Sequence, residues 1–377
     1  MNLLLIAVAI LLFFGLIVFI LLFGESPRLR NGIIGKANRA LTVYIPRWII
    51  GTLKKVLGPK NWNRLSHLWH YCFESRNPFL QIFFMILTSG SIYLFLKYGL
   101  PHIPGIYLHS THLIIIPSQI VSLYLSYYMA CTVDPGTITA ENVQQYLDHF
   151  KYDGLLYQPK QCSTCRLQKP ARSKHCSMCK ACIGRLDHHC FWINRCVGVN
   201  NHRFFFIFLF TLVQFCAYGA YLCFQIYRGM IIEWGLDAAY VIDKKTGQHS
   251  PITFRKAFLH VLQKDRIIGA IGILATVVSL VVFLFFLYQL YLAGRGITTN
   301  EAFKWELIED SIDRGELWLE EENTATNDKD KVKKRMDGSK KRQRKVESLE
   351  ELDNIYDEGF YRNLYNVFFP PRMKKAA

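Results

Sequence analysis

Apolar residues gather into five runs, at residues 3–23, about 79–98, about 110–131, about 204–227 and about 267–293, with polar, Lys- and Arg-bearing stretches between most of them. Each is near the ~20 residues a helix needs to cross a bilayer. The pattern predicts an α-helical integral membrane protein with five transmembrane helices. A cleaved leader in place of the first run would show a basic start, an apolar core of ~7–15 residues and a small-residue cleavage site. "LLLIAVAILLFFGLIVFILLF" shows none of these, so a retained anchor is expected. Pro117 inside the third run is compatible with a membrane helix, where neighbouring helices satisfy the freed carbonyl. Any one run alone reads equally well as a buried core helix; five in one chain do not.

The loops set an orientation. Residues 24–78 carry ten Lys/Arg against two acids, and the link at 99–109 carries no Lys or Arg. The positive-inside rule then places 25–78 in the cytosol as a basic loop behind an anchor at 1–24. Counting onward, spans two and three occupy 79–131, a cytosolic segment 132–202, and spans four and five with a lumenal loop 203–293. The cytosolic tail is 294–377. The lumenal loop itself holds Lys244, Lys245, Arg255, Lys256, Lys264 and Arg266, which runs against the rule, although its length reduces their weight.

The net charge of +16 suits cytosolic loops held against anionic lipid, or a polyanionic ligand such as coenzyme A. No recognition motif accompanies it, so nucleic acid is not expected as a partner. Residues 319–358, where acidic runs alternate with "KDKVKKRMDGSKKRQRK", read as a disordered, solvated linker.

Seven of the 11 cysteines fall between residues 162 and 196. In a cytosolic segment that density points to metal or thiol chemistry and away from disulfides. Cys162, Cys165, His175 and Cys182 form a C-x2-C-x9-H-x6-C set, and Cys176, Cys179, His189 and Cys196 repeat it 14 residues later. Three thiolates and an imidazole make the ligand set of a closed structural zinc site, so two Zn2+ are expected. A regrouping of adjacent ligands has plausible spacing too, and an iron–sulfur cluster is disfavoured by the histidines.

This count leaves Cys190 and His188 over, within "RLDHHCFWINRC". A thiol needs a base or a positive field to become a nucleophilic thiolate at neutral pH. His188 can be that base and Asp187 can orient it, as in a nucleophile, base and orienter triad. The blander readings are a small buried cysteine, a histidine hydrogen-bonded behind the zinc ligands, and a turn-capping aspartate.

"CSTCRLQKPARSKHCSMCKACIGRLDHHCFWINRCVGVNNHRFF" strongly resembles the cysteine-rich domain of the DHHC protein S-acyltransferases, with Asp187, His188, His189 and Cys190 as the signature tetrad. Shorter pieces extend the resemblance: Asp134–Pro135–Gly136, the Thr298–Thr299–Asn300–Glu301 stretch, and "YDEGFYRNLYNVFF" with Gly359 and Asn363. Phe191 and Arg195 depart from the family's usual Pro and Asn, and the first span is additional to the usual four.

The resemblance implies that Cys190 takes a long-chain acyl group from acyl-CoA (palmitoyl-CoA) as a thioester and passes it to a cysteine of a membrane-associated substrate protein, near its membrane boundary, with His188 as base. It also implies an apolar cavity beneath Cys190, with Trp192, Phe204, Phe205 and Phe206 as candidate lining, and Lys174 and Arg185 as examples of residues able to meet CoA phosphates. The closing "KKAA", with Lys374 and Lys375, resembles a di-lysine retrieval signal, so the endoplasmic reticulum membrane, with Golgi cycling, is the expected location. A zinc-stabilised, non-enzymatic membrane adaptor is the alternative; it leaves the Cys190–His188 pair without a role.

Overall fold

A computed structural model of the chain describes residues 16–17, 20, 24, 29–71, 75–242, 247–320 and 343–371. The expected first span, all but three of its positions, and Lys374 and Lys375 lie outside these residues.

The first element with described bounds is α1 (Ile33–Arg39), followed by a π turn at Ala40–Tyr44 and α2 (Ile45–Trp69). The segment read as a basic loop is thus mostly helical. Then come α3 (Phe79–Tyr98) and α4 (His112–Thr132), β1 (Thr137–Ile138) and α5 (Val143–His149). Three short hairpins follow: β2 (Lys160–Gln161) with β3 (Gln168–Lys169), β4 (Lys174–Cys176) with β5 (Ala181–Ile183), and β6 (His188–Cys190) with β7 (Arg195–Val197). Beyond them lie α6 (His202–Glu233), the β8 (Tyr240–Ile242) and β9 (His249–Pro251) hairpin, α7 (Phe254–Lys264), α8 (Arg266–Gly294) and α9 (Thr299–Asp313). Strands β10 (Trp318–Glu320) and β11 (Gln343–Lys345) pair, and α10 (Phe360–Phe368) follows.

Among the described residues, α3, α4, α6 and α8 are long and apolar enough to cross a membrane. Two exceed what a ~30 Å hydrocarbon core requires: at ~1.5 Å per residue, the 32 residues of α6 and 29 of α8 leave a turn or more projecting. The projecting ends carry the site. The start of α6 follows β7 directly, and Gln289 near the end of α8 is buried against α9.

Lipid tails are as apolar as the side chains they surround, so helix packing here rests on shape and polar contacts. Ser126 and Thr211 hydroxyls join α4 to α6 at 2.6 Å, and Ser279 Oγ donates to the Val213 carbonyl between α8 and α6 at 3.3 Å.

The part of residues 319–358 that is described does not behave as a solvated linker. β11 pairs antiparallel with β10, and Val346 next to it is fully buried. An apolar residue at the end of a charged run was enough to seat the strand. Farther on, Asn363 of α10 donates to the Gly294 carbonyl at 2.8 Å, closing the tail onto the end of α8.

Candidate functional site: two metal centres and a cysteine beside them

The three hairpins are three copies of one unit. Residues 160–173, 174–187 and 188–201 align with Cys162, Cys176 and Cys190 in register, and the turn residue four positions later is left-handed each time: Arg166 at φ 56°, Lys180 at 53° and Asn194 at 50°. In the first two copies the turn folds back so that an amide N–H donates to the first sulfur, Cys165 N to Cys162 Sγ and Cys179 N to Cys176 Sγ, both at 3.4 Å. In the third copy Ile193 stands where Cys165 and Cys179 stand. The residue spacing alone held this third copy, but a metal-ligand count passes over it because its second cysteine is missing.

Cross-strand pairing completes each ligand set. His175 faces Cys182 between β4 and β5, and His189 faces Cys196 between β6 and β7. The sulfurs of Cys162, Cys165 and Cys182 lie 3.7, 3.3 and 3.9 Å from His175 Nδ1. Those of Cys176, Cys179 and Cys196 lie 3.6, 3.4 and 3.5 Å from His189 Nδ1. A zinc ion with Zn–S of about 2.3 Å and Zn–N of about 2.0–2.1 Å at its tetrahedral centre requires N···S edges of about 3.5–3.6 Å. Both quartets fit, and each is grouped as the sequence spacing paired it.

Alternation along β6 then separates two chemistries. Successive strand side chains point to opposite faces, so His189 turns to the metal cluster while His188 and Cys190 share the other face. His188 Nδ1 bonds Asp187 Oδ2 at 2.6 Å, which leaves Nε2 for the sulfur side. Burial alone would push the Cys190 thiol up; hydrogen bonding to His188 and its positive charge, with the N–H groups of Ile193 and Trp192, outweigh this and bring it below the ordinary thiol value. Burial likewise opposes charge on His188, but bonding to Asp187 and Cys190 raises it to about 10. The Asp187 carboxyl is buried, which disfavours its charge, yet the His188 bond holds it below the usual carboxylate range. The three groups are set up as carboxylate, imidazolium and thiolate.

Asp187 has a second anchor that residue types alone could not reveal. Thr299 donates its N–H to Oδ1 at 2.7 Å and its hydroxyl to Oδ2 at 2.9 Å, while Asn300 N–H reaches the Asp187 carbonyl at 3.1 Å. Gln289 in turn donates to Thr299 Oγ1 at 3.0 Å. Thr298 and Glu301 form a capping box that starts α9. Glu301, fully buried, receives Arg172 at 2.7 and 2.5 Å and Tyr157 OH at 2.9 Å. The four consecutive residues therefore cap a helix, hold the aspartate and bind the hairpins to the end of α8. Asp134 accepts from Gly136 N and Thr137 N, and the Gly136 carbonyl receives Gly184 N at 2.9 Å, which ties the end of α4 to the second hairpin.

Cys190 is buried in a cluster with Leu123, Tyr127, Phe205, Phe208 and Leu212, bordered by Phe84, Met85 and Phe285, so all four described spans contribute side chains beneath it. Of the residues expected to line a cavity, Phe205 packs edge-on to His188 at 5.2 Å and belongs to this cluster. Phe206 does not: it lies in a separate cluster under α10, against Val367. Trp192 is 46% exposed in the loop that follows Cys190, and the Phe204 ring lies under the Arg203 guanidinium. Arg185 is buried and cannot present itself to a soluble phosphate, and the Lys174 ammonium is taken by Asn300 Oδ1 at 2.8 Å. Phe191 stacks edge-on to His189, and Arg195 pairs across the strand with Cys190.

The family model described as DHHC palmitoyltransferase matches residues 156–306. Palmitoyltransferase swf1 of Schizosaccharomyces pombe is 30% identical over 95% of this chain and 94% of its own length. Palmitoyltransferase SWF1 of Candida albicans is 30% identical, covering 93% and 95%, and that of Neurospora crassa is 29% identical, covering 98% and 93%.

Proposed function

Since the chain belongs to the DHHC palmitoyltransferase family and is a protein S-palmitoyltransferase, we propose that Cys190 is its acyl-carrying nucleophile, with His188 as general acid and base and Asp187 as the group that orients His188. The observation that carries this reading is the line Asp187–His188–Cys190, with His188 and Cys190 on one side of β6 and Asp187 bonded to His188, above an apolar wall drawn from four spans.

The transfer runs in two steps. The Cys190 thiolate attacks the thioester carbonyl of a long-chain acyl-CoA; the bond to the CoA sulfur breaks, and His188 Nε2 gives its proton to the leaving thiolate. His188, now neutral and held by Asp187, takes the proton of a substrate cysteine, whose sulfur attacks the acyl-Cys190 carbonyl and releases the Cys190 thiolate. One thioester replaces another, so no nucleotide hydrolysis is needed. The chain's own contribution is alignment of sulfur, imidazole and carboxylate, and burial of the alkyl chain at ~0.8 kcal/mol per CH2. Leu123, Tyr127, Phe208 and Leu212 are positioned to meet that chain.

Two structural Zn2+ belong to this reading, one on Cys162, Cys165, His175 and Cys182 and one on Cys176, Cys179, His189 and Cys196. When bound they cross-link the hairpins and keep the face of β6 fixed. The substrates are membrane-associated proteins with a cysteine close to the same leaflet boundary, since an acyl chain leaves the bilayer only at high cost. The positive-inside rule puts the hairpins and tail in the cytosol, and the di-lysine-like Lys374 and Lys375 support residence in the endoplasmic reticulum membrane. Lys374→Ser/Lys375→Ser should redistribute a tagged protein; an unchanged location removes that support.

The activity reading is tested by incubating purified wild type, Cys190→Ser and Cys190→Ala with palmitoyl-CoA. A hydroxylamine-labile adduct on wild type alone is expected. An adduct of equal yield on Cys190→Ala would transfer the role to another cysteine.

A further inference from the structure

Among the described residues, none of the 25 in α2 is buried, and Trp48, Ile49, Ile50, Val56 and Leu68 are exposed. A soluble face of that composition would be an aggregation hazard. Its charge is one-signed as well. Residues 45–69 hold Arg47, Lys54, Lys55, Lys60 and Arg64 and no Asp or Glu.

The helix is two amphipathic pieces out of phase. Before Gly58, the apolar stripe is Ile45, Ile49, Leu53, Val56 and Leu57, with Arg47 and Lys54 opposite. After it, the stripe is Trp62, Leu65, Leu68 and Trp69, with Lys60, Arg64 and His67 opposite. Continued without a break, the first stripe would run 49, 53, 56, 60, 64, 67 and so deliver Lys60, Arg64 and His67 onto the apolar side. The break occurs where it is needed. Gly58 has φ 67° and ψ 168°, outside the helical region and in a range that only glycine enters freely, and Pro59 restarts the helix behind it. This uncouples the registers of the two pieces, and the Lys54 ammonium sits 5.1 Å from the Trp62 ring across the break.

We infer that α2 is a membrane-surface helix whose two halves, uncoupled at Gly58, both lay their apolar stripes into the leaflet from which α3 enters and set their Lys and Arg among anionic phospholipid headgroups. The tether is short, since residues 70–78 join α2 to the first residue of α3. Aromatic and basic residues interleaved without acids are the composition of helices that lie in such an interface. The inference stands whether or not Cys190 is the nucleophile.

The test is amide hydrogen exchange of residues 45–69 in the full-length, zinc-loaded protein, reconstituted into vesicles of neutral phosphatidylcholine or of phosphatidylcholine with phosphatidylserine. In the phosphatidylserine vesicles both halves should exchange about tenfold or more slowly than in neutral ones. Lys54→Glu/Lys55→Glu should erase that difference in the first half. Gly58→Ala, which meets no neighbouring atom, should straighten α2 and leave one half unprotected while the other keeps its protection. Equal exchange in the two vesicle types would overturn the role of anionic lipid, and full protection of both halves in Gly58→Ala would overturn the two-register account.

Discussion

Thr299 holds both carboxylate oxygens of Asp187, at 2.7 Å through its N–H and 2.9 Å through its hydroxyl, although 112 residues and two membrane helices separate them. The carboxylate that bonds His188 is thereby fixed by the start of α9, and α9 is joined to α8 through four residues. The hydroxyl bond goes to a charged acceptor, the kind worth about 1.5–3 kcal/mol. Thr299→Val keeps the shape and the N–H. It should slow acyl-enzyme formation roughly tenfold or more, with the KM for palmitoyl-CoA little changed. Equal rates for variant and wild type would reduce Thr299 to a helix residue.

Glu301 and Arg172 form a buried pair that joins α9 to the hairpins. Burial works against the Glu301 charge, but Arg172 brings its carboxyl below the ordinary value. A depressed carboxyl contributes stability that is complete above about pH 4.3, the unfolded value, and is lost as pH falls through the folded one. Glu301→Gln should cost about 3–5 kcal/mol at neutral pH by leaving Arg172 unpaired. It should also flatten the fall of the unfolding midpoint between neutral and acid pH; a variant as stable and as acid-sensitive as wild type would contradict this.

Metal content distinguishes the two proposed ligand quartets from Cys190. Inductively coupled plasma analysis should find two zinc ions in wild type and in Cys190→Ala, whereas Cys165→Ser should bind fewer and unfold at lower temperature. Loss of zinc from Cys190→Ala would place that sulfur among the ligands.

The pH profile of acylation reports on His188. With the thiol held down by His188, wild type should acylate nearly as fast at pH 7 as at pH 8.5. His188→Gln removes the positive partner, so its acid limb should move up toward the ordinary thiol value of ~8.5. If the two profiles coincide, another group sets the thiolate.

Tyr127 OH donates to the Trp192 carbonyl at 2.9 Å, so a residue of α4 grips the loop that follows Cys190. The Trp192 carbonyl and the Ile193 N–H belong to one peptide plane, and that N–H favours the Cys190 thiolate. Tyr127→Phe should therefore slow acylation several-fold, while Ser126→Ala, which cuts the α4–α6 contact next to it, should not. Similar slowing by both would mean that helix packing, not the loop, is responsible.

Four of the five expected runs coincide with helices long and apolar enough to cross a membrane, because a membrane helix is a composition as much as a fold, although α6 continues to Glu233, past the expected end at about 227. The two ligand quartets were legible because knuckle and hairpin spacing survive without any knowledge of the backbone. Three things were not. Thr299 stands in the sequence only as part of a short family-like stretch, since its partner is 112 residues away. Arg185 reads as an exposed cation because charge says nothing of burial. The stripes of α2 escape a single helical period because Gly58 breaks the phase between them.

The hairpin repeat leaves its module with no tolerance for a change of length. His188 and His189 meet different groups because they occupy opposite sides of β6, and strand side chains alternate with a period of two. Removing one residue between Cys179 and His188 would shift the strand by one, turning the metal-facing imidazole toward Cys196's opposite side and the other toward the sulfur cluster. Insertions and deletions should therefore survive in the stretch between β10 and β11, and be lethal to both metal binding and acyl transfer anywhere inside the three copies.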